Sequence, residues 1–432
     1  MYEPKMKLTD EEKDILAGKK GETYAKMMEV LVRYGDAFGA TYLAPLTYKK
    51  AHFVTSFGLS LLKPVYPLMD ELIQAGCKVE EGFTMDPRPL DYKNVSCSPI
   101  EKLVSSVFMY SKQKDYEKQL EAIGLSDPSG FTCTCYLEQV GNTPKEGDII
   151  SWSESSAVVF ANSVLGARCN RNSGILDMFG SILERTPAFG FITDEGRKAT
   201  WKIIVKTTKK PEAQILGSAI GMKVMAEVPY VEGLDRFLDP LPSEDTISYL
   251  KDFGAATASN GAVGLYHIEG ITPEAKRLGK ALMKENVQEY VIDDAELERV
   301  YASYPMMWKK PNCKPHKCFI GCPHLTFKQL CDWTDALVEG LAKSGKKKLV
   351  VDTVLTTSPA VIKAFKETDR YEKLLSTGAH LSYICPLMYA DNPVSGAKPL
   401  MTNSNKLRTY TKSRYFKDED VLAIITGQKE VA

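Results

Sequence analysis

The chain has 432 residues, of which 44% are hydrophobic and 25% are charged, so it can bury a large core and should form two or more lobes. Lysine plus arginine number 55, as do aspartate plus glutamate, so no net positive field favours nucleic acid or an anionic membrane. The sequence has no apolar stretch of membrane-spanning length and no signal-peptide core at its N-terminus, which predicts a cytoplasmic protein. Neither nucleic acid nor a membrane is expected as a partner.

Helical patterns and short apolar strands alternate along the chain, which predicts an α/β fold. Thr9 and Glu12 form a capping box that opens a first helix, and residues 22–34 have the spacing of an amphipathic second helix. Residues 60–75 predict another helix, and residues 78–84 predict a strand that leads into a turn. We place a border between two lobes, residues 1–200 and 201–432, which together form one catalytic unit.

The stretch from Trp152 to Arg171 surrounds an apolar helix with an acid, amides, hydroxyls and arginines, which a purely structural segment does not need. Glu154 lies where the helix should begin, and the small residues after it would let a ligand approach the positive helix end. Asn162 follows, and Gly166 predicts a C-cap that turns Arg171 toward the same cleft, where it suits a carboxylate or phosphate. The alternative interpretation is an ordinary capped core helix with exposed arginines.

Later segments continue the α/β pattern. Strands are predicted from residue 201 and over residues 349–355, and helices over residues 273–285 and 359–366. The glycine- and alanine-rich residues 253–270 could cradle an anion. Because this run has no GxGxxG pattern, close packing of the backbone is the better interpretation.

Ten cysteines in a cytoplasmic chain indicate reduced thiols or metal ligands rather than disulfides. Cys322 and Cys385 each precede a proline, a recurring pair at iron-sulfur ligands. Cys133 and Cys135 lie in another loop shortly before Glu154, so three loops that carry thiols could converge on one cleft. Four others are expected to be buried apolar thiols: Cys77, Cys97, Cys169 and Cys331.

A zinc site is the alternative use of these thiols. It would be built from Cys313, Cys318 and Cys322 with His316 or His324. The spacing between these cysteines fits poorly with the usual paired C-x2-C knuckles, so this interpretation is the weaker one.

Several separated motifs, from Ala51 to Lys406, resemble the aconitase X family in its large-subunit form: TCTCYLEQVGNTPKEGD, WSESSAVVFANSVLGARCNR, IGCPH and TNSNK. The resemblance implies an aconitase-like catalytic body of packed α/β lobes without the small swivelling domain. It further implies an iron-sulfur-dependent hydro-lyase that dehydrates a small hydroxy acid. Among the family's substrates it favours cis-3-hydroxy-L-proline, with phosphomevalonate as the alternative.

The same resemblance implies that Cys133 and Cys322 are ligands of a [2Fe-2S] or [4Fe-4S] cluster, with Cys135 as the alternative to Cys133. Many relatives carry a third ligand in an Asp-Thr-Cys segment, where this chain has Val354. Cys385 is the expected replacement, because its loop follows the next strand and could reach the same cleft.

The family's site residues are carried over to matching positions only. The implied catalytic residues are Glu154, Ser155 and Lys406. The implied substrate-binding residues are Thr55, Ser56, Asp86, Pro87, Asn162, Arg171 and Ser404. Asp86 stands where an asparagine is common, which indicates an altered specificity. A carboxylate near cations stays ionised, so Glu154 is expected to orient groups rather than to transfer protons.

A dehydration also requires a base, which in aconitase-like enzymes is a serine in a Gly- and Ser-rich loop of the swivelling domain. No such loop follows Lys406, so the resemblance implies a separate small subunit that completes the site. Two hypotheses from other classes stay open. One is a cluster-free binding protein that keeps the fold, and the other is a zinc-stabilised hydrolase.

Overall fold

The computed structural model describes residues 2–125 and 127–431. The helices, in chain order, are α1 (Asp10–Leu16), α2 (Glu22–Ala37), α3 (Val65–Gln74), α4 (Pro99–Leu103), α5 (Gln113–Ile123), α6 (Ser155–Phe160), α7 (Gly174–Leu183), α8 (Ala213–Val224), α9 (Glu244–Gly261), α10 (Pro273–Leu278), α11 (Asp294–Ala302), α12 (Phe327–Ser344), α13 (Pro359–Phe365), α14 (Arg370–Ser376), α15 (Pro386–Asp391), α16 (Asn405–Tyr410) and α17 (Asp418–Ile425). None of these helices, in the described ranges, is both long and apolar enough to cross a membrane.

The strands are β1 (Leu43–Pro45), β2 (Ala51–Phe53), β3 (Phe83–Met85), β4 (Arg185–Pro187), β5 (Ala199–Val205), β6 (Pro229–Glu232), β7 (His267–Ile268), β8 (Met283–Ile292), β9 (Lys317–Leu325), β10 (Asp352–Thr357), β11 (His380–Ser382), β12 (Leu400–Thr402) and β13 (Arg414–Tyr415). They form a four-stranded parallel sheet in the order β7-β6-β5-β8 and a five-stranded parallel sheet in the order β11-β10-β9-β12-β13. β2 pairs with β3 in parallel, and β1 pairs with β4 antiparallel. Parallel sheets joined through helices confirm the predicted α/β class.

The first two helices form as predicted. The Thr9 hydroxyl accepts a hydrogen bond from Glu12 N, the Glu12 carboxylate accepts one from Thr9 N, and α1 therefore begins with a complete capping box. α2 continues to Ala37, three residues beyond the predicted end, because the buried face of the helix continues through Gly35.

Two predicted elements that lie between Thr55 and Asp86 are shorter than expected. The helix predicted over residues 60–75 begins only at Val65, because Ser60 donates its backbone N–H to Met109 O instead of joining a helix. The strand predicted over residues 78–84 is reduced to Phe83–Met85, since Val79 N bonds Ile123 O in a loop.

The Gly- and Ala-rich run packs as the sequence predicts. Its first half belongs to α9, which lies against α8 with its backbone in close approach. A Cβ placed on Gly261 would clash with the carbonyl oxygen of Gly221, and one placed on Gly217 would clash with that of Phe253. These glycines therefore permit helix packing. The helix predicted over residues 273–285 ends at Leu278, because Gly279 takes a left-handed conformation with φ 52°.

The parallel strands of the N-terminal part end at one place. Single parallel bridges join β2 to Trp152 and β3 to Phe131, so four extended segments run side by side. Their carboxyl ends lead directly into the segments that carry Thr55, Asp86, Cys133 and Glu154. In open α/β sheets this edge is where ligands bind.

The five-stranded sheet supplies the opposite wall. The chain after β11 leads to Cys385, the chain after β12 leads to Ser404 and Lys406, and Cys322 lies near the end of β9. One large core runs from Trp152 of the first part through Ile203 to Ile320 of the five-stranded sheet. The parts therefore pack as one body, while the border at residue 200 stays a prediction.

A buried ionic group supports the interface of these parts. The Arg197 guanidinium donates to both Glu274 carboxylate oxygens at 2.8–2.9 Å. His267 Nε2 lies 2.8 Å from Arg197 O, and since a carbonyl only accepts, this nitrogen carries the proton. Burial lowers the pKa of His267 to about 4, so the imidazole is neutral at neutral pH.

We expect His267 to make the protein sensitive to acid. Because its folded pKa is depressed, its contribution to stability is full above the usual pKa of 6.5 and is lost as pH falls through about 4. The slope is at most about 1.4 kcal/mol per pH unit for one proton. Denaturant unfolding at pH 7 and pH 5 should show that His267→Gln loses less stability than wild type, by up to about 2 kcal/mol.

Parallel curves for wild type and His267→Gln would show that His267 does not carry this acid sensitivity.

Candidate active site

A buried ion pair lies where the two groups of strand ends meet. Lys406, in the first turn of α16, donates its ammonium to Glu154 Oε1 at 2.5 Å. Glu154 caps α6, since its Oε2 accepts from Ala157 N at 2.6 Å and from the Ser156 hydroxyl at 2.7 Å. The predicted start of this helix and the association of Glu154 with Lys406 are both present in the fold.

The electrostatics of this pair keep both groups charged. Burial alone would raise the pKa of Glu154, but the Lys406 ammonium lowers it to about 2. Burial alone would lower the pKa of Lys406, but the Glu154 carboxylate raises it, and Cys322 and Cys133 raise it further. Ser155 completes the group, because its hydroxyl lies 3.3 Å from Glu154 Oε1 and 3.4 Å from Lys406 Nζ. This carboxylate and ammonium therefore remain ionised over the physiological pH range.

Three thiols lie beside Lys406, and one imidazole links their loops. His324, two residues after Cys322, donates its backbone N–H to Cys133 Sγ at 3.3 Å. Its Nε2 lies 3.2 Å from Ile384 O, next to Cys385, and its Nδ1 lies 3.0 Å from the Thr132 hydroxyl, next to Cys133. Burial lowers the pKa of His324 to about 3, so the neutral ring donates from Nε2 and accepts at Nδ1.

The three thiols are close enough to influence one another. Burial raises the pKa of Cys385, and the Cys322 thiolate raises it further. Burial likewise raises the pKa of Cys133, with further increases from Glu154 and Cys322 and an opposing decrease from Lys406. Cys385 N bonds Arg88 O, which joins its loop to the segment that contains Asp86. The convergence of three thiol loops is therefore present in the fold.

The other cysteines lie outside this group. Cys135 is fully buried, and its thiol contacts the Thr84 hydroxyl rather than Cys322. Val354 is buried within β10 and packs in the small core that also contains Cys322, so its position on the strand adds no ligand atom. Cys385 is the thiol that the fold brings to Cys322.

The zinc alternative has no support in the described ranges. The one set of three or more ligand atoms within 4.8 Å of one another there contains neither Cys313 nor Cys318. Cys318 and Cys322 are four residues apart on β9, which separates them by about 13 Å. His324 is occupied by Thr132 and Ile384.

That one set combines His52, Asp86 and Glu154. Asp86 is almost fully buried, and burial raises its pKa well above the usual value, with Glu154 raising it further. His52 is completely buried, and burial lowers its pKa to about 4. A neutral imidazole and a carboxyl group that ionises less readily than usual therefore lie beside the Glu154–Lys406 pair.

The remaining residues of the first loops line a small cavity next to Asp86. Thr55, Pro87 and Tyr116 form part of its wall, and the Thr55 hydroxyl is hydrogen-bonded to the Tyr116 hydroxyl. Ser56 is buried, and its hydroxyl accepts from Gly58 N at 3.2 Å, which holds the turn. Thr55 is half-buried and Pro87 is buried, and a substrate contact by Thr55, Ser56 or Pro87 stays a prediction.

Asn162 and Ser404 hold the walls of the cleft. Asn162 accepts from Cys169 N at 2.9 Å and donates to Cys169 O and Gly264 O, so its amide is fully occupied. Ser404 caps α16, accepts from Leu407 N at 3.1 Å and donates to Cys322 O. Their hydrogen bonds are structural, and a substrate contact by either stays a prediction.

Arg171 differs from Asn162 and Ser404 in its backbone conformation and in its partners. It takes a left-handed conformation, φ 54°, which is uncommon for an arginine. Gly174, three residues after Arg171, packs against the backbone of Val54 and Thr55. This segment therefore lies beside the loop that follows β2. Its half-buried guanidinium forms no ion pair with any of the described carboxylates. A contact between Arg171 and an anionic ligand stays a prediction.

Sequence reasoning missed two of these residues. His52 was not singled out, although it lies in the strand just before Thr55, and its partners come from distant loops. His324 was considered only as a zinc ligand. Its position directly after the Cys322-Pro323 pair was the available signal for a role at the thiol site.

Comparisons with known proteins show the family of this chain. Models of the aconitase X first, second and third domains match residues 5–195, 199–302 and 316–420. The chain belongs to the aconitase X family. Its structure also resembles the crystal structure of Thermococcus kodakaraensis aconitase X in its holo-form, with a TM-score of 0.79 and 30% identity, over 97% of this chain and 100% of that chain.

Curated relatives in the aconitase X family are dehydratases. The phosphomevalonate dehydratase large subunit of Thermococcus kodakarensis is 31% identical over 94% of this chain and 95% of that protein. The cis-3-hydroxy-L-proline dehydratase of Hypocrea jecorina is 27% identical over 94% of this chain and 65% of that protein. The chain is therefore a hydro-lyase of the aconitase X type.

We expect His324→Ala to weaken the link between the thiol loops. The substitution removes two buried hydrogen bonds and leaves Ile384 O without a donor, which should cost about 1–3 kcal/mol of unfolding free energy. Hydrogen exchange should become faster in the Cys133 and Cys385 loops. His324→Gln, which can still donate to Ile384 O, should lose less.

His316→Ala is the matched control, because this exposed histidine lies on the same segment. It should leave both measurements unchanged. Equal exchange rates in wild type and His324→Ala would mean that the imidazole does not hold these loops together.

Proposed function

We propose that the chain is the large subunit of an iron-sulfur-dependent dehydratase that acts on a small hydroxy acid. The observation that carries this proposal is the convergence of Cys133, Cys322 and Cys385 beside the buried Glu154–Lys406 pair. Thiolates are the ligands that iron-sulfur clusters require, and fixed charges next to them orient a substrate.

The thiols fit a cluster better than a single ion. No three of the described cysteine sulfurs lie within 4.8 Å of one another, as ligands of one ion would. Ligands of a cluster are farther apart, because each binds a different iron. Cys133, Cys322 and Cys385 would hold the cluster, with Cys135 as the alternative to Cys133. When bound, such a cluster supplies a Lewis acid for the leaving hydroxyl group.

The chain's own charges would position the substrate. Arg171 forms no ion pair with a carboxylate of the described residues, and it suits a carboxylate or phosphate of the ligand. Lys406 is already paired with Glu154, so this pair adds little net charge and instead holds the ammonium in a fixed place. Thr55 and Asp86 lie at the cavity wall, where they can contact the reacting part of the substrate.

Two substrates follow from the relatives. Phosphomevalonate is the first to test, because relatives with this activity are matched over almost their whole length. Cis-3-hydroxy-L-proline is the second, and it was the substrate favoured by the sequence. The observation in its favour is Asp86, which stands where relatives commonly carry an asparagine and so indicates an altered specificity.

A small subunit is the proposed partner. The phosphomevalonate relatives are named large subunits, and the longer Hypocrea jecorina dehydratase has about a third of its length outside the match. A partner of this kind would supply the base that the described residues around Lys406 do not offer. A cytoplasmic location would keep the thiols reduced.

The cluster proposal is tested by Cys385→Ala. Anaerobic purification of wild type should give a brown protein that contains iron and sulfide, and the variant should lose most of both, because one of three ligands is gone. Cys133→Ala and Cys135→Ala should differ in the same assay, since the first removes a ligand and the second does not.

Cys331→Ala is the matched control, because this cysteine is also buried but lies outside the cleft. It should keep its colour and iron. A wild-type protein that stays colourless after reconstitution with iron and sulfide would favour the cluster-free binding protein.

The Glu154–Lys406 pair is tested by a double-mutant cycle. Lys406→Met leaves Glu154 as an unpaired buried charge, so the free energy of unfolding should fall by about 3–5 kcal/mol, and dehydration should be lost. Combining it with Glu154→Gln should restore most of the stability but not the activity. Urea unfolding and dehydration assays with the small subunit check both results, and recovery of activity in the double variant would contradict the proposed role.

A further inference from the structure

Six large apolar side chains are exposed on two neighbouring segments of the chain. We name this surface the rim patch, and it consists of Leu61, Leu62, Ile100, Leu103, Val107 and Phe108. Leu61 is 82% exposed and Phe108 is 66% exposed. Apolar residues that are exposed singly need no explanation, whereas a group of them on one surface indicates an interaction site.

Hydrogen bonds join the two segments of the rim patch. Ser60 N donates to Met109 O at 2.7 Å, and the hydroxyl oxygens of Ser60 and Ser111 lie 2.7 Å apart. Leu61 and Phe108 each lie directly next to a residue of this contact in the sequence. The two segments therefore form one surface.

Polar anchors on the inner side fix the orientation of the second segment, which consists of α4 and the π-helical turn after it. Glu101 is buried and accepts hydrogen bonds from the Tyr389 hydroxyl at 3.2 Å and the Ser395 hydroxyl at 2.7 Å. Ser105 is also buried and accepts from Asn392 Nδ2 at 2.7 Å. A rotation that buried the apolar side would leave the Glu101 charge without these partners. The apolar side is therefore held at the surface.

The second segment has the reverse of the usual amphipathic arrangement. Ile100, Leu103 and Val107 follow one another at intervals of three and four residues, which places them on one face of a helix. In a helix that only covers a core, such an apolar face is the buried one. Here the face with Glu101 and Ser105 is buried instead, so the apolar face is available to a partner.

Both segments run from the rim patch into the cleft. In the first segment, Thr55 and Phe57 line the cavity next to Asp86. In the second segment, the chain continues to Gln113, which lines the same cavity. The rim patch therefore lies at the edge of the cleft, and a protein bound to it would also cover the cleft.

Lysines flank the rim patch. Lys63 and Lys102 are exposed, and neither forms an ion pair within residues 2–125 and 127–431. Lys112 is exposed as well, and its ammonium lies 3.8 Å from the carboxylate of Asp115. A partner of complementary charge would carry carboxylates around an apolar centre.

We propose that the rim patch is the surface on which the small subunit docks, through a face that has an apolar centre and an acidic rim. This inference rests on the proposed large-subunit function. Relatives named large subunits imply such a partner. The base that the cleft lacks has to come from a protein that covers the cleft, and the rim patch adjoins the cleft along two segments.

An anionic membrane and a second copy of this chain are the competing occupants. The chain has equal numbers of acidic and basic residues, and Asp115 lies among the flanking lysines, so no strong positive field attracts a membrane. A second copy bound here would cover the cleft without supplying the missing base. The small subunit is the occupant that meets both requirements.

Leu103→Asp and Phe108→Asp should each weaken binding of the small subunit. A carboxylate in the centre of an apolar contact loses its water without gaining a partner, so the Kd should rise at least about 10-fold. Titration calorimetry of the purified chain with the small subunit encoded in the same genome measures this without any assay of activity. Both side chains are exposed, so both variants should unfold at the same urea concentration as wild type.

Val338→Asp is the matched control. Val338 is also an exposed apolar residue, but it lies on α12, whose neighbouring Leu337 packs in the large core away from Tyr389 and the small core. This variant should bind the small subunit as wild type does. The same Kd for wild type, Leu103→Asp and Phe108→Asp would overturn the proposal, as would a wild-type chain that does not bind the small subunit.

The acidic rim of the partner is tested by Lys102→Glu. Reversing this charge should raise the Kd by about 2–5-fold at low salt and reduce the dependence of binding on salt. Lys276→Glu, on the exposed side of α10, should change neither quantity. Equal salt dependence in wild type and Lys102→Glu would contradict a partner face with an acidic rim.

The competing occupants give outcomes of their own. Wild type that sediments with vesicles of phosphatidylserine and phosphatidylcholine, when Phe108→Asp does not, would assign the rim patch to a membrane. A dimer in sedimentation velocity that Phe108→Asp abolishes would assign it to a second copy, and either result would overturn the proposal.

The docking surface and the proposed function fail in different measurements. If the small subunit binds at the rim patch but the complex has no iron and dehydrates neither substrate, the proposed function fails and the docking surface stands. If the complex dehydrates a substrate and Phe108→Asp binds the small subunit as wild type does, the docking surface fails and the proposed function stands.

Discussion

The hydrogen bonds of one neutral imidazole, that of His324, hold together the loops that carry Cys133 and Cys385. His324 contacts the Cys133 loop through its backbone N–H and its Nδ1, and it contacts the Cys385 loop through Nε2. It is itself two residues from Cys322. These contacts do not depend on pH in the physiological range, because burial keeps the pKa of the ring at about 3. The Cys133 and Cys385 loops are thus held by an imidazole that stays neutral in this pH range.

The second constraint is the meeting of two parallel sheets at their carboxyl ends. β2, β3 and the segments bridged to them supply Asp86, Cys133 and Glu154, and the five-stranded sheet supplies Lys406. Neither part contains the site alone. The Glu154–Lys406 ion pair crosses this junction, so the same contact that orients the charged groups also joins the two walls of the cleft.

Much of this arrangement follows from local sequence. The start of α6 at Glu154 was predictable because an acid before small residues and an apolar run is a capping signal. The three thiol loops were predictable from Cys-Pro pairs and from resemblance. The long-range network from Tyr48 to His52 was not, because each bond joins residues 32 to 94 positions apart. The prediction of a longer strand before Asp86 was wrong for a similar reason, since tertiary contacts overrode the local sequence pattern.

The placement of site residues after strand ends has a consequence for how such enzymes diversify. A side chain in a loop position just beyond a strand adds little to the packing of the sheet behind it. Asp86 illustrates this, because its backbone N–H bonds Phe53 O whichever side chain it carries. One residue at such an end can be exchanged while the scaffold keeps its shape. New substrate preferences can therefore arise through single substitutions, without any remodelling of the fold.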